Sequence, residues 1–171
     1  AALVDALPAT TPILTLGDTV YENGSATEFA NCYDPTWGRF KARTHPSVGN
    51  HDLITDKGKP YYDYFGEAAG PRNLGYYSYE VGSWHVIALN SAIAARKGSE
   101  QMKWLAEDLA AHKTECTLAY WHIARYSSGA PPAAHRSSMT DWSTTAVSRP
   151  PFPEFPRKMS AKRDESTTLK P

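Results

Sequence analysis

The chain has 171 residues and a mass of 18.9 kDa, and its 18 Lys and Arg residues balance 18 Asp and Glu residues. This length suits one modest domain, and 41 % hydrophobic residues are enough for a buried core. The balanced charge leaves no positive excess to hold a polyphosphate backbone, which argues against non-specific nucleic-acid binding. No run approaches the roughly 20 apolar residues of a membrane-spanning helix, so the composition also argues against a membrane protein.

The first half of the chain predicts an alternation of helix and strand. Residues 1–7 predict a helix that Pro8 ends, and residues 13–16 predict a short buried strand that ends at Gly17-Asp18. Ser25 and Glu28 have the spacing of a capping box, which predicts the start of another helix. Residues 46–48 form a second short segment that leads into a glycine-containing turn, at Gly49. This succession is typical of an α/β fold.

The second half predicts a β-hairpin, a helix and a last strand. Residues 76–81 and 84–90 flank Gly82-Ser83, which predicts a hairpin with a two-residue turn. Residues 100–112 predict an amphipathic helix with Ser99 as its N-cap and with Met102, Leu105 and Leu109 facing inward. Residues 117–121 predict an apolar strand that ends at His122.

The composition changes near residue 130. All 11 glycines and all 10 tyrosines precede this point, whereas 7 of the 13 prolines follow it. We therefore predict a domain over residues 1–129 and a Pro, Ser and Thr-rich tail over residues 130–171 that is largely disordered, because proline removes backbone donors and fixes φ. The alternative for the tail is a proline-rich ligand for a partner domain, formed by residues 149–156.

Three predicted strands are each followed by a side chain that can bind a metal ion. These side chains are the carboxylate of Asp18, the amide of Asn50 and the imidazole of His122. In open α/β sheets, ligand sites form beyond the carboxyl ends of the strands, so the three are expected to converge. A carboxylate can also bridge two cations.

The neighbours of Asn50 suggest proton transfer. His51 is followed by Asp52, and a carboxylate that orients an imidazole makes it an effective general acid. Each motif also has an ordinary interpretation: Asp18 as a turn residue, Asn50-His51 as a surface turn, and His122 as a structural histidine. No function is predicted for His45, His85 or His112.

Taken together, these motifs resemble the calcineurin-like metallophosphoesterase superfamily, and more narrowly its purple-acid-phosphatase-like branch as found in secreted bacterial proteins. The resemblance covers residues 3–129. It is carried by Gly-Asp-Thr-Val-Tyr at 17–21, Gly-Asn-His-Asp at 49–52 and Tyr-Trp-His at 120–122. Further likeness lies in residues 31–39, 61–66, 75–91 and 101–110.

The resemblance implies an αββα sandwich and metal-dependent hydrolysis of small-molecule phosphate monoesters. The centre would hold two divalent or trivalent ions, Fe, Zn or Mn. By position, Asp18 would bridge the ions, Asn50 and His122 would bind the second, and Tyr21 would bind the first as a phenolate. For Tyr21 the alternative is an ordinary packed tyrosine. His51 would protonate the leaving alkoxide or hold the phosphate, with Asp52 orienting it.

The sequence departs from the family pattern at both ends. Its motif with an Asp after an opening strand is absent, because only Asp5 lies upstream and falls in the first predicted helix. The Gly-His-x-His motif is absent as well, and His135 is the only later histidine. We therefore expect a fold that is incomplete at both ends. The alternative function is a non-catalytic fragment that binds metal weakly at most, and a partner-binding protein acting through the tail is a third hypothesis.

Neither the oligomeric state nor the compartment follows from the sequence. Cys32 and Cys116 allow one disulfide at most, and whether they pair stays open. The location would be extracellular or periplasmic if the parent protein carries a signal peptide.

Overall fold

A computed structural model describes residues 2–124. Its strands are β1 (Ile13–Leu16), β2 (Thr44–Ser47), β3 (Tyr77–Val81), β4 (Trp84–Ala88) and β5 (Cys116–Tyr120). Its α-helices are α1 (Ala2–Asp5), α2 (Ala26–Glu28), α3 (Asp34–Trp37), α4 (Lys59–Phe65) and α5 (Glu100–Ala111). A π-helical turn, Phe29–Tyr33, joins α2 to α3. None of the helices in this part of the chain is long and apolar enough to cross a membrane.

The strands form two sheets. Strands β1 and β2 pair in parallel, with Leu16 opposite Ser47 at their carboxyl ends. Strands β3 and β4 form the predicted antiparallel hairpin, and β5 adds to β4 in parallel, with Ala88 opposite Tyr120. The candidate ligands Asp18, Asn50 and His122 follow β1, β2 and β5 by two or three residues, so each of them lies just beyond the carboxyl end of a parallel strand.

Alternating side chains of β4 pack against two different layers. Val86 and Ala88 belong to a buried cluster that also contains Tyr120 and contacts Leu14 of β1, so this cluster lies between the two sheets. Ile87 belongs to another cluster, against which Leu105 and Leu109 of α5 pack. Because successive residues of a strand point to opposite faces, β4 is buried on both sides.

Aromatic residues cover the side of the β1–β2 sheet that carries the other helices. This cluster contains Val48 after β2 and a set of buried residues from the helical segments: Phe29, Tyr33, Tyr61, Tyr62, Phe65 and Ala69. The order of layers is thus helices, sheet, sheet and helix α5. The predicted α/β class with an αββα arrangement is confirmed.

Two of the differences between the predicted elements and the structure concern helices α5 and α4. Helix α5 packs through Trp104, together with Leu105 and Leu109, rather than through Met102. Helix α4 was not predicted, since it spans only seven residues and begins after two non-glycine residues with positive φ, Asp56 and Lys57. The tail over residues 130–171 lies outside the described residues. Both cysteines of the chain carry free thiols.

The capping box at the start of α2 should contribute measurably to stability. The Ser25 hydroxyl accepts a hydrogen bond from the Glu28 backbone N–H at 3.3 Å, and the Glu28 carboxylate accepts one from the Ser25 N–H at 2.7 Å. We expect Ser25→Ala to lower the free energy of unfolding by about 1 kcal/mol. Ser99, at the same position before α5, makes no capping hydrogen bond through its side chain. Ser99→Ala is therefore the matched control, and urea denaturation of both variants should show a loss only for the first.

Candidate active site

The turn after β1 directs a carboxylate toward the ends of the neighbouring strands. Gly17 and Asp18 both have positive φ, 78° and 49°. A Cβ on Gly17 would lie 2.7 Å from the Cβ of His122, so only glycine allows the imidazole to approach this closely. The local sequence Gly-Asp thereby permits contact between the end of β1 and the residue after β5.

The turn after β2 packs directly onto Asp18. The backbone N–H of His51 donates a hydrogen bond to Asp18 Oδ1 at 3.0 Å. A Cβ on Gly49 would be only 2.1 Å from Asp18 N. These contacts bring Asn50, which lies between Gly49 and His51, to the same edge as the carboxylate.

His122 completes this arrangement from the other sheet. Its Nδ1 lies 2.7 Å from the carbonyl oxygen of Leu16 and therefore donates a hydrogen bond to it. Its Nε2 lies 3.1 Å from Asn50 Oδ1 and 3.3 Å from Asp18 Oδ1. In the neutral tautomer with its proton at Nδ1, Nε2 is an acceptor, and it then faces two further acceptors, Asn50 Oδ1 and Asp18 Oδ1.

This donor set fits a cation. Ligand atoms about 2.1 Å from one ion, as in Zn–N and Zn–O bonds, are roughly 3 Å apart at tetrahedral or octahedral angles. The separations of 3.1 and 3.3 Å between His122 Nε2 and the two oxygens match that spacing. A backbone carbonyl on the other imidazole nitrogen is also the usual support of a metal-binding histidine.

Tyr21 extends the site on the other side of Asp18. Its hydroxyl donates a hydrogen bond to Asp18 Oδ2 at 2.8 Å, and this bond raises the pKa of the phenol above its usual value. The side chain is 58 % exposed and its ring contacts that of His51, with centroids 4.8 Å apart, and its role as a ligand stays a prediction. Among the residues predicted from the sequence, Asp18 and Tyr21 are the two that could bind an ion on this side of the site.

His51 and Asp52 do not form the pair that the sequence suggested. His51 Nδ1 lies 2.5 Å from the carbonyl oxygen of Glu22, and its ring centroid is 4.8 Å from that of Tyr21. Asp52 instead accepts hydrogen bonds from the backbone N–H groups of Thr19 at 2.9 Å and Gly49 at 2.8 Å. The two residues begin a 3₁₀ turn, where consecutive side chains point about 120° apart, so they reach different partners.

Asp52 therefore holds the two turns together. Its side chain is fully buried, and this burial raises the pKa of the carboxyl group, while the hydrogen bonds from Gly49 and Thr19 oppose the rise. Because Thr19 follows Asp18 and Gly49 precedes Asn50, the Asp52 carboxylate fixes the relative position of two candidate ligands. Its contribution to the site is structural support rather than orientation of His51.

Asp5, the carboxylate that precedes Asp18 in the sequence, is paired with an arginine. Asp5 forms a two-bond ion pair with Arg39, with Nε to Oδ1 at 3.0 Å and Nη2 to Oδ2 at 2.9 Å. His135 lies outside the described residues. The sequence analysis did not identify a cluster of Glu80, His85 and His112. Part of it could have been found, because Glu80 and His85 occupy opposite positions in the predicted hairpin.

Comparisons with known proteins relate the chain to one group of enzymes. No family model matches it. Two curated proteins of Arabidopsis thaliana are similar: Purple acid phosphatase 15, 31 % identical over 68 % of this chain, and Probable purple acid phosphatase 20, 30 % identical over 56 % of it. The chain spans 28 % and 26 % of the lengths of these relatives.

A solved structure has a similar fold. It is the purple acid phosphatase PPD1 from yellow lupin (Lupinus luteus) seeds, with a TM-score of 0.51 and 19 % sequence identity. The match covers 72 % of this chain and 24 % of that chain. At this level of identity the likeness supports the fold, and the chemistry has to be argued from the residues.

Proposed function

Because the chain is related to the purple acid phosphatases, and so to the calcineurin-like metallophosphoesterases, we propose that it hydrolyses phosphate monoesters with a metal centre at the edge formed by β1, β2 and β5. The observation that carries the proposal is the convergence of Asp18 Oδ1 and Asn50 Oδ1 on His122 Nε2, at 3.3 and 3.1 Å from that nitrogen. The substrate class is a small-molecule phosphate ester.

The proposed ligands divide between two ions. Asp18 Oδ1, Asn50 and His122 would hold one ion, and Asp18 Oδ2 with the Tyr21 hydroxyl would contribute to a second, Fe, Zn or Mn being the candidates. Ions held there would lower the pKa of water and polarise the phosphoryl oxygens. Leu16 would keep the His122 tautomer that offers Nε2 as a ligand, since its carbonyl oxygen accepts the Nδ1 proton.

His51 would act on the leaving group of the substrate. With Nδ1 hydrogen-bonded to the Glu22 carbonyl oxygen at 2.5 Å, the proton that can be transferred is the one at Nε2. The contact with the Tyr21 ring and the hydrogen bond from its own N–H to Asp18 hold His51 beside the proposed ligands. In this geometry His51 would donate a proton to the leaving alkoxide or bind a phosphate oxygen.

Hydrolysis of p-nitrophenyl phosphate by the full chain tests the proposal. After loading with Fe, Zn²⁺ or Mn²⁺, the expected result is turnover that a chelator abolishes. We expect His51→Ala to lower kcat by about 10²- to 10⁴-fold, the range for loss of a general acid, without changing the metal content. His122→Ala should lower both the rate and the metal content, because it removes a ligand.

A histidine outside the site provides the matched control. His45 stacks on Tyr79 with a centroid separation of 3.9 Å and has no contact with the proposed ligands' donor atoms, so His45→Ala should retain the rate of the unchanged chain when the metal is saturating. A rate that neither the chelator nor His51→Ala changes would contradict the proposal.

A second candidate is a non-catalytic form of the fold that binds a single ion. It is favoured by the Tyr21 side of the site, where Asp18 and Tyr21 are the two possible ligands among the residues predicted from the sequence. Calorimetric titration separates the candidates. Two tightly bound ions per chain that are both lost in Asp18→Asn would exclude the second candidate, whereas a single ion that is lost in Asp18→Asn, without turnover in the unchanged chain, would favour it.

A further inference from the structure

A second group of metal-binding side chains lies on the face of the hairpin that packs against α5. Glu80 of β3 and His85 of β4 occupy directly opposite positions, and both project to the α5 side, away from the layer between the sheets. Asp108 of α5 and His112, which directly follows α5, meet them there. This cluster shares no residue with the candidate active site.

The imidazole of His85 is fully buried and held at both nitrogens. Nδ1 lies 2.7 Å from Glu80 Oε1, and Nε2 lies 2.6 Å from Asp108 Oδ2. Asp108 is fixed in turn by the hydroxyl of Ser78, which donates a hydrogen bond to Oδ1 at 2.6 Å. A buried imidazole between two carboxylates is therefore rigidly oriented before any ligand arrives.

The cluster opens to solvent at Glu80 and His112. Their side chains are 47 % and 44 % exposed, whereas that of His85 is 1 % exposed. One donor atom from each of Glu80, His85 and His112 lies within 4.8 Å of the other two. His112 Nδ1 lies 2.9 Å from the carbonyl oxygen of Asp108, so both histidines contact the same residue.

We propose that Glu80, His85 and His112 form a Zn²⁺ site separate from the candidate active site. Two imidazoles and one carboxylate, with water as the fourth ligand, are a common zinc donor set. His85 would bind through Nδ1, while its Nε2–H donates to Asp108. An imidazole that binds zinc through one nitrogen and a carboxylate through the other is the usual supporting arrangement of such sites. Asp108 is thus a positioning residue. The ion takes the place of the proton between Glu80 Oε1 and His85 Nδ1.

Binding requires one movement. The rings of His85 and His112 are stacked, with centroids 4.4 Å apart and planes inclined by 12°. The nitrogen lone pairs lie in the ring planes, so in this arrangement the two rings do not direct them at one common point. His112 must turn its ring toward Glu80 to share an ion with His85. Its exposure and its position after the last residue of α5 leave space for this rotation, whereas His85 stays in place.

Zn²⁺ titration of the full chain, in competition with a chromophoric chelator, tests the site. We expect His112→Ala and Glu80→Gln each to weaken one Zn²⁺ equivalent by at least tenfold, while Asp18→Asn leaves that equivalent unchanged. Glu107→Gln is the matched control, since Glu107 is an exposed carboxylate of the same helix that lies outside the cluster. The two ligands chosen are exposed, so their replacement does not remove a buried side chain.

Thermal unfolding provides a second measurement. An ion that binds the folded chain raises the unfolding midpoint as its concentration increases. In an Asp18→Asn, His122→Ala background, which lacks the candidate active-site ligands, Zn²⁺ should still raise the midpoint, and adding His112→Ala should remove this rise. The proposal is overturned if that background binds no Zn²⁺, or if Glu80→Gln and His112→Ala bind Zn²⁺ as tightly as Glu107→Gln does.

Discussion

Replacement of Gly49 by alanine is expected to dismantle the candidate active site. A Cβ at this position would lie 2.1 Å from Asp18 N and 2.2 Å from Asp18 Oδ1. Because one of these contacts is with backbone, no change of rotamer relieves it, and the turns after β1 and β2 must separate. Overpacking typically costs about 1–3 kcal/mol, and we expect this variant at or above the upper end. Metal binding by Asp18, Asn50 and His122 should be lost with it.

The measurement combines urea denaturation with metal titration. Gly82→Ala is the control, because Gly82 has a positive φ of 59° but no heavy atom within 4 Å of the position that an added methyl group would take. That variant should lose only about 1 kcal/mol, from backbone strain, and should bind metal normally. Equal stability and equal metal binding for the two variants would show that the close approach of Gly49 to Asp18 is not required.

A steep loss of stability is expected above pH 10. Burial raises the pKa of Tyr33 and of Tyr62 to about 12. Burial also raises the pKa of Tyr61, Tyr77 and Tyr120 well above the usual value. Phenols with raised pKa values ionise in the unfolded chain first. Their stabilising effect is complete below the unfolded pKa of about 10 and is lost as the pH rises from there toward the folded values.

The size of the effect follows from the number of groups. Each tyrosine that ionises only in the unfolded chain costs about 1.4 kcal/mol per pH unit, so five of them cost roughly 7 kcal/mol per unit. Domains are typically stable by about 5–15 kcal/mol, so the chain should unfold within about two pH units above 10. Circular dichroism and the absorbance of tyrosinate should change together. A chain that stays folded at pH 12 would contradict this expectation.

Tyr62 offers a direct check of the cause. Its hydroxyl is buried and forms no hydrogen bond to any residue in the described range 2–124. Tyr62→Phe therefore removes an ionisable group without breaking a hydrogen bond, and it should shift alkaline unfolding to higher pH. Tyr21→Phe, at a tyrosine that is 58 % exposed and whose pKa is raised mainly by its hydrogen bond to Asp18, should shift the unfolding pH less than Tyr62→Phe does.

Local patterns in the sequence predicted the elements that local interactions stabilise. The capping box at Ser25 and Glu28, the hairpin around Gly82-Ser83 and the amphipathic helix α5 are all confirmed. The convergence of Asp18, Asn50 and His122 followed from a general rule about strand ends rather than from any local signal. Their catalytic and metal-binding roles stay predictions that the experiments above address.

Partners that come from distant parts of the chain could not be predicted in this way. Asp52 contacts Thr19, 33 residues away, and His85 contacts Asp108, 23 residues away. Adjacency in the sequence suggested a pair of His51 with Asp52, but the turn directs these side chains to different neighbours. His85 looked ordinary in the hairpin because its significance depends on α5, which packs against it only in the folded chain.

The two sheets contribute unequally to the candidate active site, and this division has a mechanical consequence. Asp18 and Asn50 follow strands of the two-stranded sheet, whereas His122 follows a strand of the other, and the phenol of Tyr120 reaches the carbonyl oxygen of His45 across the boundary at 3.0 Å. An ion held by all three side chains would fasten the halves of the sandwich to each other. Substitutions among the apolar residues at that boundary, such as Val86, would then alter the affinity for an ion with which they have no contact.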